Sequence, residues 1–503
     1  MEEIQNAPPA TALVIFGSTG NLAQKKLIPA LYHLLKGGYL PHDFSVVCVA
    51  RDNTATVDSI VDKAKSSLAR HEQEVDESVF ARLKERMQMI IMDSTNQDDF
   101  HSLKNVLDSI DEYSQKKHNR LFYLAIPPAI FTSVISCLGN VGLNNEEEGA
   151  ARRILVEKPF GTNLTSAKEL VGHIAEHFGE QQVYRIDHYL AKETAQNLLA
   201  FRFNNPIIED LWGRQFIDHI QITAAETIDI EGRADFYEGM GALRDLVQSH
   251  LLQLLALTMM EVPQPLNSEN IHAEKLAILE AVRPIKFNHV DETAVRGQYK
   301  GYRDETGNQE SNVETFAALH LEVANSRWGG VPVLVRTGKA LADKMTEITL
   351  VFRDRTRRKV EPNLLTIRIQ PNEGIGIRLQ AKKPGFTDDL QPVNMDFCYQ
   401  TSFDGVQPDA YERVLVDAII GDQSLFATSA EVLRCWEILE PIIDVWQQDD
   451  SQLHFYEKGT WGPESAFELA SSYGCEWLSN TSHVCAVHPA DFQKVEAPQT
   501  DTM

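Results

Sequence analysis

A short apolar run, Thr11-Ala-Leu-Val-Ile-Phe16, stops at Gly17-Ser-Thr-Gly-Asn-Leu-Ala23, and apolar residues then recur at helical spacing (Leu22, Leu27, Ala30, Leu31, Leu34, Leu35) as far as Gly37-Gly38. Strand, glycine turn and helix in that order restrict the fold more than any other feature of the chain. Glycine lets the backbone come against a pyrophosphate, and a helix N-terminus offers unpaired N–H groups and a positive dipole end. Gly17, Ser18, Thr19, Gly20, Asn21 and Leu22 are therefore the expected cradle of a dinucleotide. The pattern is G-x-x-G-x-x-A rather than G-x-G-x-x-G, and the alternative is a plain strand-to-helix turn.

Residues 45–50, 121–126 (closed by Pro127-Pro128) and 153–157 follow the same buried-strand grammar, with helical stretches between them. Such alternation implies right-handed crossovers and a parallel, doubly wound sheet over residues 1–185. Beyond that point the character changes. Residues 216–223, 316–323, 347–352 and 364–370 read as strands with period-two alternation, and residues 242–260 and 409–420 as helices. The expectation is an α/β Rossmann-type domain followed, over 186–494, by a large α+β domain with a mostly antiparallel sheet. Residues 495–503 read as a disordered tail.

At 503 residues the chain exceeds one ordinary domain. Its 47 Lys+Arg against 72 Asp+Glu give a net charge of −25. That excess argues against nucleic-acid and anionic-membrane partners, whose binding rests on basic patches. An anionic substrate must then be drawn in by a local cluster of cations. The six cysteines, Cys48, Cys137, Cys398, Cys435, Cys475 and Cys485, contain no C-x-x-C pair. They read as reduced packing thiols, and no metal site is expected. The first residues are acidic where a signal peptide would be basic, and no run reaches about 18 apolar residues. A cytoplasmic location is the expectation.

Four constellations carry chemistry. Arg51 follows the second strand, where a cation suits a ribose 2′-phosphate, so NADP is favoured over NAD; the alternative is a solvated strand-end residue. Asp93, after another apolar run, is a further cofactor candidate. In Arg185-Ile-Asp-His-Tyr-Leu-Ala-Lys-Glu193, His188 and Lys192 supply positive charge and Tyr189 a neutral donor. That combination suits a phosphate dianion, unless the stretch is only a polar strand-to-helix turn. In Glu157-Lys-Pro-Phe-Gly161, Lys158 would point from a strand end into the crevice between cofactor and substrate, with Pro159 fixing a cis turn, unless the stretch is only a surface loop. Finally, Arg244-Asp-Leu-Val-Gln-Ser-His250 opens a long apolar helix. Asp245 and His250 lie five positions apart, about 140° around an α-helix, so they should not pair. His250 needs a carboxylate from elsewhere, and Asp187 is the candidate; the alternative is a core histidine capping a neighbouring backbone group.

These motifs together resemble the glucose-6-phosphate dehydrogenases. The family's R-I-D-H-Y-L-G-K-E is present with Ala191 for Gly, its G-x-x-G-D-L-A loop with Asn21 for Asp and Lys25-Lys26 following, and E-K-P-F-G unchanged. Val295-Arg-Gly-Gln-Tyr299, Gly330-Val-Pro332, Gly338-Lys-Ala-Leu341, Gln370-Pro-Asn-Glu373, Asp409-Ala-Tyr-Glu-Arg413 and Trp461-Gly-Pro463 match in order.

The resemblance implies oxidation of β-D-glucose 6-phosphate to 6-phospho-D-glucono-1,5-lactone with hydride transfer to NADP, the first step of the oxidative pentose phosphate pathway. It implies His250 as proton acceptor and Asp187 as its partner. It implies His188, Tyr189 and Lys192 at the phosphate with Lys344 near it, and Glu226, Asp245 and Lys339 on sugar hydroxyls or substrate oxygens. Lys158 would touch substrate and cofactor both. It also implies a homodimer or homotetramer. Ser249 stands where Asn is usual, and Asn21 should still cap its helix. Met345 and Thr349 occupy places where animal members carry basic residues for a second, structural NADP, so that second site is not expected. Two competing readings remain. Another two-domain sugar oxidoreductase would lack the His-Tyr-x-x-Lys cradle, and a non-catalytic NADP sensor would lack His250 or Asp187.

Overall fold

The computed structural model describes residues 8–70, 75–147, 149–355, 360–403, 407–448 and 453–478. Its first sheet holds β1 (Thr11–Phe16), β2 (Phe44–Ala50), β3 (Met87–Ile91), β4 (Asn119–Leu124), β5 (Arg152–Val156) and β6 (Val183–Arg185). All pairings are parallel, in the order β3-β2-β1-β4-β5-β6. β1 and β4 are buried at every position. Helices cover both faces, which is why these strands read as continuous apolar runs rather than as alternation. Strand order reverses between β1 and β4, so a crevice opens at their carboxyl ends.

The second sheet holds β7 (Ile217–Ala225), β8 (Ala294–Tyr299), β9 (Phe316–Glu322), β10 (Pro332–Gly338), β11 (Met345–Phe352), β12 (Leu364–Gln370), β13 (Gly374–Lys382), β14 (Leu390–Cys398) and β15 (Leu453–Tyr456). Their order is β14-β13-β12-β11-β7-β10-β9-β8-β15. β7 with β10 and β8 with β15 run parallel, and the other pairs are antiparallel. The parallel pair matters most, because Gly338 stands opposite Ala225 and both strands deliver their next residue to the same end of the sheet.

Two helices depart from the α form expected of them. The helix after β1 is π-wound at Ala23–Leu27 before the α-helix Ile28–Gly37, and the helix over 242–260 is π-wound at Leu243–Leu251 before Leu252–Met259. Packing also crosses the 1–185 and 186–494 division. Ala410, Val414, Leu415, Ala418 and Ile419 belong to the same core cluster as β1, β2 and the Ile28–Gly37 helix. The tail at 495–503 lies outside the described residues.

Cysteine chemistry differs from expectation at one place. Cys48, Cys137, Cys435 and Cys475 are free and buried. Cys398 is disulfide-bonded. Spacing could not reveal this, since bridging depends on the approach of two Cα atoms in space. Cys485 lies outside the described residues. Among the described residues no helix is long and apolar enough to cross a membrane.

The helix Ser429–Gln448 ties the two sheets together. Arg185, 1% exposed at the end of β6, donates to Glu180 Oε1 at 2.7 Å and to Ser429 Oγ at 2.6 Å. Two residues further on, Glu431 meets Lys275 at 2.9 Å with both side chains fully buried, and His272 Nδ1 lies 2.9 Å from Glu431. The Lys275–Glu431 contact is off-line for a hydrogen bond, so its attraction is chiefly coulombic. Glu431→Gln leaves a buried ammonium uncompensated and should cost about 3–5 kcal/mol, whereas Lys275→Met/Glu431→Leu should recover most of it. The midpoint of chemical denaturation measures both, and equal midpoints for Glu431→Gln and wild type would refute the assignment.

Candidate active site

The nucleotide turn is built as the glycine pattern demands. Gly17 has φ +80°, and a Cβ on it would lie 2.3 Å from the Ala125 carbonyl oxygen. Only glycine lets the loop pass that close to the end of β4. Ser18 points away from the crevice, because its N–H and its hydroxyl both donate to the Val49 carbonyl. The helix begins at Asn21 itself, with the Gln24 N–H bonded to the Gly20 carbonyl, so Asn21 stands inside the first turn rather than at the cap expected of it. Thr19 and Asn21 are exposed, and Leu22 is partly buried at the start of the helix. Arg51 is exposed just beyond β2. Its charge reaches Asp93, whose Oδ1 is already engaged by the Thr95 N–H and hydroxyl. Exposed donors, a backbone that comes close and a cation beside the second strand fit a nicotinamide dinucleotide.

Across the crevice, three chain segments converge on one imidazole. Asp187 follows β6, and its Oδ1 accepts from the Tyr189 N–H at 2.9 Å and from His250 Nδ1 at 2.5 Å. Asp187 is 4% and His250 0% exposed. Lys158, after β5 and before a cis Pro159, donates to His250 Nε2 at 2.8 Å, to Asp245 Oδ1 at 3.1 Å and to the Asp245 carbonyl at 3.0 Å. The partners assign the tautomer: Nδ1 carries the proton toward Asp187, and Nε2 presents its lone pair to Lys158.

The π winding corrects the helical-wheel expectation. Bonding from i to i+5 brings positions five apart toward one side. Asp245 and His250 still do not bond to each other, but they share one ammonium between them.

Burial and the ammonium of Lys158 depress the basicity of His250, outweighing the opposite pull of Asp187. Burial works against the charge of Asp187, yet the imidazole and the Tyr189 N–H hold its carboxyl below the usual range. The result is a neutral imidazole beside a carboxylate. His188 packs edge-on to His250, with ring centres 4.8 Å apart, while Tyr189 stacks on it at 4.2 Å. Burial first, and His250 second, push His188 down to about 3. In the unliganded protein His188 is therefore a neutral donor, not the cation expected from sequence. Asp187, His188 and His250 bring ligand-type atoms within 4.8 Å of one another. Within this group Asp187 Oδ1 and His250 Nδ1 are bonded to each other, and Lys158 donates to His250 Nε2.

The remaining candidates surround this centre. Lys192, 27% exposed at the head of the Glu193–Phe203 helix, lies 3.8 Å from Glu373. Glu226 and Lys339, the residues after β7 and β10, meet at 2.5 Å. Lys344 is exposed and makes no side-chain bond to the cluster among the described residues. Position-by-position reading missed Gln370, whose amide donates to the Tyr189 hydroxyl at 3.2 Å. It also missed Glu373, which accepts from the Thr194 hydroxyl at 2.9 Å. Their only sequence signal is the Q-P-N-E match at the end of β12.

Residues 14–197 match the family described as "Glucose-6-phosphate dehydrogenase, NAD binding domain", and residues 199–478 match "Glucose-6-phosphate dehydrogenase, C-terminal domain". The chain belongs to the glucose-6-phosphate dehydrogenase family. It is 42% identical over 489 residues to glucose-6-phosphate 1-dehydrogenase 2 of Mycobacterium tuberculosis, covering 92% of this chain and 94% of that one. With glucose-6-phosphate 1-dehydrogenase of Chlamydia muridarum it shares 39% over 511 residues, 95% of this chain and 100% of that one. A solved glucose-6-phosphate dehydrogenase in complex with its substrate glucose-6-phosphate superposes with a TM-score of 0.87 at 32% identity, covering 94% and 99% of the two chains. The Mycobacterium avium enzyme superposes at 0.79 with 35% identity, covering 93% and 99%.

The electrostatics give a test that needs no turnover. In the unliganded protein, the His188 imidazole should stay neutral across about pH 5–8, and His250 should take up its proton below the ordinary imidazole range. Heteronuclear NMR of the ring nitrogens reads this directly, and a midpoint near 6.5 for His188 would refute its desolvation.

Proposed function

We propose that this protein oxidises glucose 6-phosphate at its anomeric carbon and passes the hydride to NADP. The observation that carries this reading is the buried Asp187–His250 pair, whose Nε2 faces Lys158 and whose ring is flanked by His188 and Tyr189. A neutral imidazole fixed by a carboxylate is a general base suited to neutral pH. The anomeric hydroxyl takes the position that Lys158 holds at Nε2, and Lys158 turns to the hydroxyl oxygen or the cofactor. His250 accepts the proton, and Asp187 stabilises the imidazolium. The bound nicotinamide supplies the hydride acceptor.

Tyr189, His188 and Lys192 hold the phosphate away from the reacting carbon, so remote binding energy orients the sugar. Glu226, Lys339 and Asp245 are the groups offered to hydroxyls. Arg51 is assigned to the ribose 2′-phosphate, where a guanidinium makes paired bonds that NAD cannot return. Exposed Met395 and Phe403 beside the solvent-facing β14 support a homo-oligomer built on the second sheet. The same reading places the enzyme in the cytoplasm.

Reduced-cofactor absorbance with glucose 6-phosphate against glucose, using NADP and NAD in parallel, tests the proposal. His250→Asn should lower turnover roughly a hundred- to ten-thousandfold with substrate affinity near wild type. More than a tenth of wild-type turnover in that variant would sink the assignment. Lys192→Ala should weaken glucose 6-phosphate binding about tenfold to a hundredfold, because a charge-assisted bond is lost. Its activity on unphosphorylated glucose should hardly change, and equal loss on both sugars would remove Lys192 from the phosphate. Arg51→Ala should raise the NADP Michaelis constant and leave NAD use nearly untouched, measured at fixed ionic strength. An unchanged NADP-to-NAD ratio would place discrimination elsewhere.

A further inference from the structure

The helix Leu243–Leu251 carries both Asp245 and His250, and it begins with backbone N–H groups that no earlier turn can satisfy. Glu314, 5% exposed and without a task in the reaction as described, takes two of them. Its Oε1 accepts from the Leu243 N–H at 2.9 Å, and its carbonyl accepts from the Ala242 N–H at 2.9 Å. The chain enters this turn through Gly241, at φ +67°, where an added Cβ would lie 2.3 Å from the same Oε1. Glycine there leaves the carboxylate room to reach the helix. Glu314 is itself fixed from behind. The next residue, Thr315, donates its N–H to the Gly297 carbonyl of β8 at 2.8 Å, and its own carbonyl accepts from the Lys339 N–H at 2.9 Å. Its hydroxyl accepts from the Tyr299 N–H at 2.9 Å, and β9 then starts at Phe316. Two further bonds tie the same turn to the segment after β5. Arg244 Nε donates to the Thr162 carbonyl at 3.0 Å, and Lys158 Nζ to the Asp245 carbonyl at 3.0 Å.

We propose that Glu314 is a positioning residue that pins the first turn of the Leu243–Leu251 helix to the second sheet and so sets where Asp245 and His250 stand relative to Lys339. This rests on the reading of His250 as the base. The path is bonded throughout: the Leu243 N–H to Glu314, Glu314 to Thr315 along the chain, and the Thr315 carbonyl to the Lys339 N–H. One dipeptide thus places both the helix that bears the base and the lysine assigned to a sugar oxygen. Two acceptors on consecutive N–H groups fix the rotation of the turn as well as its height, whereas one alone would let it pivot. Asp245 and His250 follow on the same helix, so a rotation at its first turn reaches both and takes them out of line with Lys158. The task needs an acceptor at this place rather than a charge. Leu243 and Glu314 also line a cavity of about 400 Å³, which is large enough to admit water. Removal of the carboxylate therefore leaves the N–H hydrated and the turn loosely held, with the fold intact.

The test measures turnover and Michaelis constants with glucose 6-phosphate and NADP for wild type, Glu314→Ala and Glu314→Gln. Glu314→Ala should lower turnover about ten- to a hundredfold, because a misplacement near 1 Å costs on the order of a hundredfold. Its affinity for NADP, read by fluorescence titration, should match wild type, since the nucleotide turn lies on another segment. Its Michaelis constant for the sugar phosphate should rise less than turnover falls, because the phosphate is held by His188, Tyr189 and Lys192. Glu314→Gln keeps an oxygen for the Leu243 N–H and should stay within about threefold of wild-type turnover. A residue that only stabilised the fold would lower the denaturation midpoint and leave the turnover of the folded enzyme unchanged. Wild-type turnover in Glu314→Ala overturns the proposal. So does a Glu314→Gln enzyme as slow as Glu314→Ala, which would make charge rather than bonding the requirement. If Glu314→Ala does not fold, Glu314→Met, which fills the space but leaves the N–H without its acceptor, takes its place with the same expected turnover. An active His250→Asn enzyme overturns the reading of the base instead, whereas an inactive one beside a fully active Glu314→Ala overturns only the role of Glu314.

Discussion

The contact between Asp187 and His250 joins residues 63 positions apart and buries a carboxylate almost completely. A buried charge is tolerated only when it is paired and hydrogen-bonded, so the surrounding structure is organised to satisfy it. The Tyr189 N–H shares the same carboxylate oxygen as the imidazole. Arg185, two residues earlier, is clamped by Glu180 and Ser429, which fixes the end of β6 and hence the place from which Asp187 projects. His250 in turn arrives on a helix packed against β7, β10 and the Ser429–Gln448 helix. If β6, that helix or the Ser429–Gln448 helix shifted, the pair would separate and leave a buried charge unmatched.

An acidic chain that binds a phosphorylated sugar must place cations against its own field. The structure does so with lysines that are each matched to a carboxylate: Lys158 to Asp245, Lys192 to Glu373 and Lys339 to Glu226. Matching holds each ammonium in place while the site is empty and limits its desolvation cost. An arriving anion exchanges these contacts rather than creating charge pairs from solvent. At Lys192 the partner is 3.8 Å away and the ammonium is partly exposed, which leaves room for phosphate oxygens. At His188 the balance differs, because burial keeps the ring neutral in the unliganded protein.

Local winding has a consequence out of proportion to its length. An α-helix over Leu243–Leu251 would turn Asp245 away from His250, whereas the π form brings both to the same ammonium. The helix that follows the glycine turn also begins in π form, and in both cases the irregular segment borders the crevice. Departures from regular geometry thus border the crevice, while β1, β4 and the Leu252–Met259 helix are regular and buried.

The sequence by itself determined the glycine turn, the parallel sheet after it and the mostly antiparallel sheet that follows. Those features rest on local physics: strand and helix periodicity, and a backbone conformation at Gly17 that a side chain would block. It also supplied the chemical types gathered at the site, through the motifs shared with the family. Several features were not legible because they depend on residues distant in the chain. Among them are the seating of the Ala410–Ile420 helix on the first sheet, the disulfide at Cys398 and the bond between Gln370 and Tyr189. The π winding was hidden for a related reason, since the apolar pattern of 242–260 suits either helix and packing chooses between them. Protonation belongs to the same class. Asp187, His188 and Glu157 are ordinary titratable residues in the sequence, and only desolvation by the folded chain, together with the charges it brings beside them, decides which of them carries charge at neutral pH.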